Sequence, residues 1–240
     1  MVTPGDPRGV RDLFETIAPR YDLLNDLLSL GLHRFWKRQA LAWIRPRPGQ
    51  RLLDLCCGTG DLALLMAQGV RPGGLVIGLD AAEAPLAVAQ RRAAAQPWLP
   101  LRFHCGDALA TGLDGGWADG AAIAYGLRNL SDPGAGLREL RRLLRPGGRA
   151  AVLDFNRPET SPGLAGAETM AAFQRFYLRR LVVPAASSIG LSDQYAYLES
   201  SLRRFPGAME QESLARAAGF RQVRHRPLAA GLMGLLELEA

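Results

Sequence analysis

The sequence predicts an α/β fold: a doubly wound, mostly parallel sheet with a C-terminal antiparallel hairpin and helical additions before and within it. Three observations predict it. From Gln50 onward short apolar runs alternate with helical stretches, as a chain of βαβ units requires. The first apolar run ends in a glycine turn that opens a helix. The last two apolar runs follow one another with only a short turn between them, which forces antiparallel pairing.

The elements are read in order. Residues 1–48 are helix-rich and stop at the breaker Arg45-Pro46-Arg47-Pro48-Gly49. Arg51–Leu55 reads as a strand, Asp61–Gly69 as a helix, Leu75–Leu79 as a strand and Glu83–Gln96 as an alanine-rich helix. Leu101–His104 and Gly120–Ala124 are the next strands. Pro133–Leu144 is a helix, and Arg149–Phe155 is a strand after the turn Arg145-Pro146-Gly147-Gly148. Pro162–Leu202 is a helical, aromatic-bearing insertion, too long for a simple connection. After Pro206-Gly207 come a helix, Gln211–Ala218, and two strands, Gln222–Arg226 and Leu232–Glu239, turning near Ala229–Gly231. The expected organisation is one domain in four parts: a helical lid at 1–48, a ligand-binding core at 49–158, the insertion at 159–207 and the closing helix and hairpin at 208–240.

The 240 residues are 48% hydrophobic and 22% charged, ordinary values for a chain with one packed core. The longest apolar stretches, such as Leu228–Leu236, fall short of the ~18 residues of a membrane span. Met1–Gly9 lacks the apolar centre of a signal peptide. A cytoplasmic protein is therefore expected. Net charge is +6, but Lys37 is the one lysine, which leaves 28 arginines among the 29 basic residues. That skew reads as composition bias rather than a phosphate-binding surface, and no run of like charge exists, so no nucleic-acid partner is expected. Cys56, Cys57 and Cys105 form neither a disulfide framework nor a zinc spacing, so no metal is expected.

The sharpest motif is Leu52-Leu53-Asp54-Leu55-Cys56-Cys57-Gly58-Thr59-Gly60-Asp61. Gly58 and Gly60 let backbone approach a ligand, and the N–H groups at the helix start favour its anionic part. Residues 58–63 also fit the dinucleotide pattern GxGxxA, with Asp80 about 20 residues on as the ribose-binding acid. Asp54 separates the two ligands. A carboxylate there opposes a pyrophosphate, whereas S-adenosylmethionine carries an ammonium and a sulfonium. Asp107, in Gly106-Asp107-Ala108, can accept from an adenine amino group. Asp54, Asp80 and Asp107 thus converge from three strand ends on the crevice where such sheets bind ligands. Asp54 and Asp107 could simply cap helices or turns.

The loop, the Gly-Asp-Ala segment, the Pro-Gly-Gly turn and the final hairpin resemble the class I S-adenosylmethionine-dependent methyltransferases, whose Rossmann-like sheet has this doubly wound form. Tyr21-Asp22-Leu23-Leu24-Asn25-Asp26, Ser29 through Lys37, and Tyr125-Gly126-Leu127-Arg128-Asn129-Leu130 more closely resemble the quinone C-methyltransferases of menaquinone and ubiquinone synthesis. Tyr195-Ala196-Tyr197-Leu198 and Arg204-Phe205-Pro206 look like the cyanobacterial and plastid branch, which methylates 2-phytyl-1,4-naphthoquinol in phylloquinone synthesis. The resemblance implies S-adenosylmethionine bound by Asp54, Gly58, Thr59, Gly60, Asp80, Ala81, Asp107, Ala108, Ala124 and Tyr125. Cys56, Cys57 and Ala124 depart from residues common in that family.

The implied acceptor is a ring carbon of a prenylated naphthoquinol, nucleophilic when a hydroxyl loses its proton. Arg128 is expected to stabilise the developing phenolate and Asn129 to orient the ring oxygens. Tyr21 is expected near the substrate under the N-terminal lid, with His33 a secondary candidate for proton transfer. Asp22, Asn25 and Asp26 share one helical face. Met170, Phe173, Phe176, Tyr177 and Leu181 recur at helical spacing in the insertion, as core or as an apolar channel for the isoprenoid tail. Arg175, Arg179 and Arg180 would then lie near lipid headgroups of a thylakoid or plasma membrane. Demethylmenaquinone and ubiquinone- or plastoquinone-type quinols are alternative acceptors. A nicotinamide-dependent reductase and a noncatalytic nucleic-acid or membrane-binding module are the other classes the sequence allows. No feature of the chain speaks to an oligomeric state.

Overall fold

A computed structural model describes residues 3, 5–17, 29, 31–157, 166, 168, 169, 172, 176, 180 and 192–240, with backbone only at 192–196. The elements are α1 (Pro7–Ile17), α2 (His33–Ile44), β1 (Arg51–Leu55), α3 (Asp61–Gly69), β2 (Leu75–Asp80), α4 (Glu83–Ala94), β3 (Leu101–Cys105), β4 (Ala118–Ala124), α5 (Pro133–Leu143), β5 (Leu144–Phe155), α6 (Ser192–Arg204), α7 (Ala208–Ala217), β6 (Gln222–Leu228) and β7 (Met233–Glu239). A 3₁₀ turn, Leu127–Asn129, follows β4.

The seven strands run in the order β3-β2-β1-β4-β5-β7-β6. β1 pairs in parallel with β2 and β4, β2 with β3, and β4 with β5. β7 alone is antiparallel, lying between β5 and β6. The expected α/β sheet with its terminal hairpin is therefore the observed one. The chain order reverses between β1 and β4, and ligands bind outside the strand ends at such a reversal.

Alternation along each strand divides the core into two layers. Leu53 and Leu55 of β1, Ala121 and Ile123 of β4 and Val152 of β5 pack with Leu137, Leu140 and Leu143 of α5 and Ala215 of α7. Leu52, Ala122, Ala151 and Leu153 face the other way, against Trp36, Ala40 and Ile44 of α2 and Leu62, Ala63 and Met66 of α3. This register turns Asp54 to the same side as Leu52, beneath α2 and α3. Gly60 adopts φ 81° at the start of α3, and a side chain there would strike the Phe103 ring and Ala89. The glycine permits close helix–sheet packing.

Boundaries differ from the sequence reading in a few places. β5 begins at Leu144 because Leu144 already pairs with Ala118, and the four residues 145–148 bulge out before pairing resumes at Arg149 and Gly120. The Pro-Gly-Gly turn is thus a bulge inside one strand, fastened by Gly147 N–H to Ala240 O and Ala240 N–H to Gly148 O. α7 begins three residues early, at Ala208, with Gly207 as its extended N-cap. Of the insertion, α6 is described. The predicted stripe at Met170, Phe173, Tyr177 and Leu181, with Arg175 and Arg179, lies outside the described residues, as do Tyr21, Asp22, Asn25 and Asp26.

Candidate active site

A cavity of about 440 Å³ opens at the C-terminal ends of β1, β2, β3 and β4. Its walls include Cys56 and Gly58 after β1, Asp80, Ala81 and Ala82 after β2, and Cys105 through Leu109 after β3. Tyr125, Gly126, Asn129, Leu130 and Ser131 close the side beyond β4. Pro7, Arg8, Val10, Arg11 and Phe14 cover it from α1. Those spacings place the α1 residues on one helical face, so the helix presents a continuous wall.

Asp80 shapes the floor. Its Oδ2 accepts from Gly58 N–H at 2.8 Å and its Oδ1 from Ala82 N–H at 3.0 Å, which fixes the glycine turn to the end of β2. Burial raises the Asp80 pKa, and the backbone donors oppose that rise. Asp107 accepts from Leu109 N–H at 2.8 Å and stands exposed on the cavity wall. The capping reading of Asp107 therefore holds for one oxygen, while the residue also lines the cavity.

Two non-glycine residues at the cavity have left-handed backbone, Cys56 at φ 57° and Tyr125 at φ 62°. Such conformations persist when surroundings enforce them. Arg128 does so for Tyr125: its Nη1 donates to Tyr125 O at 2.7 Å and to Asp154 Oδ1 at 2.6 Å. Asn129 Nδ2 donates to the same carbonyl at 3.0 Å. A side chain at Gly126 would overlap Cys56, so the turns after β1 and β4 sit back to back.

Several expected site residues stand elsewhere. Arg128 is buried against Asp154 and the Phe155 ring and is absent from the cavity wall, so it supports the wall instead of meeting a phenolate there. His33 is also buried away from the cavity, at the start of α2, near Asp61, whose pKa is lowered against the effect of burial by Lys37 foremost, then by Arg92 and His33. Asp54, Thr59 and Ala124 lie behind the cavity around a second void of about 10 Å³, together with Lys37, Cys56, Cys57, Asp61, Leu62 and Tyr125. The strand register is the cause for Asp54 and Ala124, since both point toward the α2 and α3 layer. Gly60 touches neither space and serves packing. Gly58, Asp80, Ala81, Asp107, Ala108, Tyr125 and Asn129 stand on the cavity wall.

The structure also brings in residues that sequence reasoning missed. Tyr197 of α6 donates from its hydroxyl to Asn129 Oδ1 at 2.9 Å and so fixes the amide's orientation. Glu15 of α1 accepts from two successive N–H groups opening α4, Glu83 at 2.5 Å and Ala84 at 2.8 Å. Asp154, at a strand end like the other acids, carried that signal in its position. Lys37 was visible only as the chain's lone lysine. Among the described residues no group of three or more His, Cys, Asp and Glu side chains is placed to hold a metal ion.

Comparison with known proteins adds to this geometry. Residues 1–236 match the model of the ubiE/COQ5 methyltransferase family. A Synechococcus elongatus protein named "2-phytyl-1,4-naphtoquinone methyltransferase" is 48% identical over 235 residues, 98% of each chain. An Arabidopsis thaliana protein named "2-phytyl-1,4-beta-naphthoquinone methyltransferase, chloroplastic" is 39% identical over 94% of this chain and 85% of its own. The solved structure of a SAM-dependent methyltransferase from Aquifex aeolicus shares the fold, with a TM-score of 0.62 at 16% identity over 98% of both chains.

Proposed function

The chain belongs to the ubiE/COQ5 methyltransferase family, and from that membership we propose that it transfers the methyl group of S-adenosylmethionine to a ring carbon of 2-phytyl-1,4-naphthoquinol. One observation carries the cofactor half of this reading: the cavity at the sheet's reversal point has two carboxylates, Asp80 and Asp107, on its wall at successive strand ends. Asp54 is 1% exposed behind the same turn, and its Oδ2 has no hydrogen-bond partner. This set of carboxylate acceptors suits a ligand with ribose hydroxyls, an adenine amino group and an ammonium, and it opposes a pyrophosphate. The acceptor half rests on the full-length similarity to proteins named for that quinone.

When bound, S-adenosylmethionine would supply a methyl group on a sulfonium, whose leaving group on transfer is the neutral thioether sulfur, while the methylated ring carbon would give up its proton to solvent. Asp80 would hold the ribose hydroxyls and Asp107 the adenine amino group, while Gly58 and Gly106 allow the backbone to come close. Asn129 is a polar group on the far wall. Tyr125 O occupies one of its amide hydrogens and Tyr197 occupies its oxygen, so one N–H stays available to a quinol oxygen. A donor aimed at that oxygen favours the phenolate that makes the ring carbon nucleophilic. Positioning is the larger contribution, because a held near-attack geometry can remove about 7–11 kcal/mol from a barrier.

The lipid tail makes peripheral membrane contact part of the proposal. Leu32 and Phe35 are large apolar residues left exposed near α2, beside the exposed Arg34 and Arg38, a composition that suits an anionic bilayer surface. Among the described residues no helix is long and apolar enough to cross a membrane.

Incubation with a labelled methyl donor and a panel of demethylated quinols and their oxidised quinones tests the reading. Label is expected in the phytyl naphthoquinol, ahead of polyprenyl naphthoquinols and benzoquinols. Label in the oxidised quinones would overturn the phenolate mechanism. Label in none of them would overturn the acceptor.

A further inference from the structure

Behind the cavity, on the α2 side of the sheet, lies a charge cluster that the proposed chemistry leaves without a task. Lys37, 6% exposed, donates from Nζ to Asp61 Oδ2 at 2.9 Å. Arg92 holds the other oxygen of Asp61, also at 2.9 Å. Lys37 Nζ stands 6.0 Å above the centre of the Tyr125 ring. Lys37, Asp54 and Asp61 all border the 10 Å³ void, whose other walls include Cys56 and Tyr125, residues that also line the main cavity. The void is about the size of one water, the ammonium is compact, and the planar fork of a guanidinium would need more room. In a chain with arginine at 28 of its 29 basic positions, this is the place that keeps lysine.

We propose that Lys37 is a positioning residue for cofactor binding: its ammonium keeps the buried Asp54 carboxylate ionised behind the glycine turn and pins α3 and the Tyr125 ring around it. The inference rests on the reading of the cavity as an S-adenosylmethionine site. Asp54 is a carboxylate out of water with one oxygen unpartnered, a state that costs several kilocalories unless a cation offsets it. Burial pushes its pKa up to about 7, and Lys37 is the foremost influence in the opposite direction. From α3, Asp61 acts with burial, as does Asp80 from β2, and Ala63 N–H acts with Lys37. The Cys56 and Cys57 thiols beside it are held protonated by burial and by these acids. His33 and Arg92 act directly on Asp61. Asp61 thus contacts Lys37 and Arg92 directly, while Asp54 shares the void with Lys37.

The test uses S-adenosylhomocysteine binding to the full chain, measured by calorimetry from pH 5.5 to 9. Affinity of the unaltered protein is expected to rise with pH through a midpoint near 7, as Asp54 ionises behind the glycine turn and its charge attracts the ligand's ammonium. In Lys37→Met the midpoint should move to higher pH by about one unit or more, so that affinity falls about fivefold or more at pH 7 and recovers by pH 9. In Lys37→Arg, which keeps the charge and strains the void, the midpoint should stay and affinity should fall equally at every pH. Because Lys37 is the only lysine, labelling with ¹⁵N-lysine gives one side-chain resonance to follow. That resonance should change position as Asp54 ionises near pH 7 and cease to do so in Asp54→Asn. A Lys37→Met midpoint equal to that of the unaltered protein, or a resonance indifferent to Asp54, would overturn the proposal. Absence of S-adenosylhomocysteine binding in the unaltered protein would instead overturn the cofactor reading, while the resonance would still report whether Lys37 and Asp54 are coupled.

Discussion

Arg128 and Asp154 form a buried ion pair, 2.6 Å from Nη1 to Oδ1, that holds the left-handed turn at Tyr125 by also binding its carbonyl. Asp154 takes the backbone N–H of Arg128 through its second oxygen at 3.2 Å, so one carboxylate secures both ends of the turn. Removing either partner strands a charge away from water. Arg128→Ala and Asp154→Ala should each lower unfolding stability by about 3–5 kcal/mol, read from denaturant midpoints. A loss below about 1 kcal/mol in both would show that the pair does not hold the turn.

Tyr197→Phe deletes one hydroxyl and leaves Asn129 Oδ1 without its donor. Stability should fall only about 0.5–1.5 kcal/mol. Turnover should fall more than cofactor affinity, because the freed amide no longer holds its N–H toward the acceptor. Steady-state kinetics together with calorimetry on S-adenosylhomocysteine separate the two effects. Equal losses in both would place Tyr197 outside acceptor positioning.

Glu15 fastens α1 over the cavity by capping α4. Glu15→Ala removes both contacts, and a lost helix cap costs about 1 kcal/mol. The α1 wall should then open more often, so S-adenosylhomocysteine should dissociate several-fold faster in stopped-flow displacement. Unchanged dissociation would mean that α1 stays in place without this latch.

Glu139 of α5 accepts from Arg142 Nε at 2.6 Å and from the Thr111 hydroxyl at 2.6 Å, and these partners, Arg142 foremost, lower its pKa to about 2. A depressed carboxylate stabilises the fold above its unfolded pKa of about 4.5, and the contribution is lost as pH falls toward 2. Glu139→Gln should therefore flatten the acid limb of the thermal stability profile between those values. The opposite sign applies at Asp54, raised by burial to about 7. The native state holds its proton between pH 3.8 and 7, and the fold bears the cost of the charge above that range. Asp54→Asn should raise the melting temperature more at pH 8 than at pH 5 while weakening cofactor binding.

Much of the site was legible because its parts are local in sequence. The run Leu52 to Asp61 encodes a strand, a turn and a helix start in ten consecutive residues, and Asp80 and Asp107 close strands whose ends are marked by glycine or alanine. Arg128 was legible as a residue near the site, but its direction was not. The same apolar-to-polar boundary could aim it at the cavity or at a neighbouring strand, and Asp154 lies 26 residues away. Thr59 and Ala124 illustrate the same gap, since both belong to site segments yet face the rear void.

The sequence by itself determined the order of strands and helices, the closing hairpin and the segment that forms the glycine turn, because periodicity and turn chemistry act over a few residues. Tertiary structure decided which side of the sheet each strand-end residue meets. Strand register sent Asp54 inward beneath α2, and packing brought Lys37, 24 residues from Asp61, to the same void. It also brought Tyr197 across 68 residues to Asn129. Such pairings are set by which layers stack, and only the assembled sheet defines the layers.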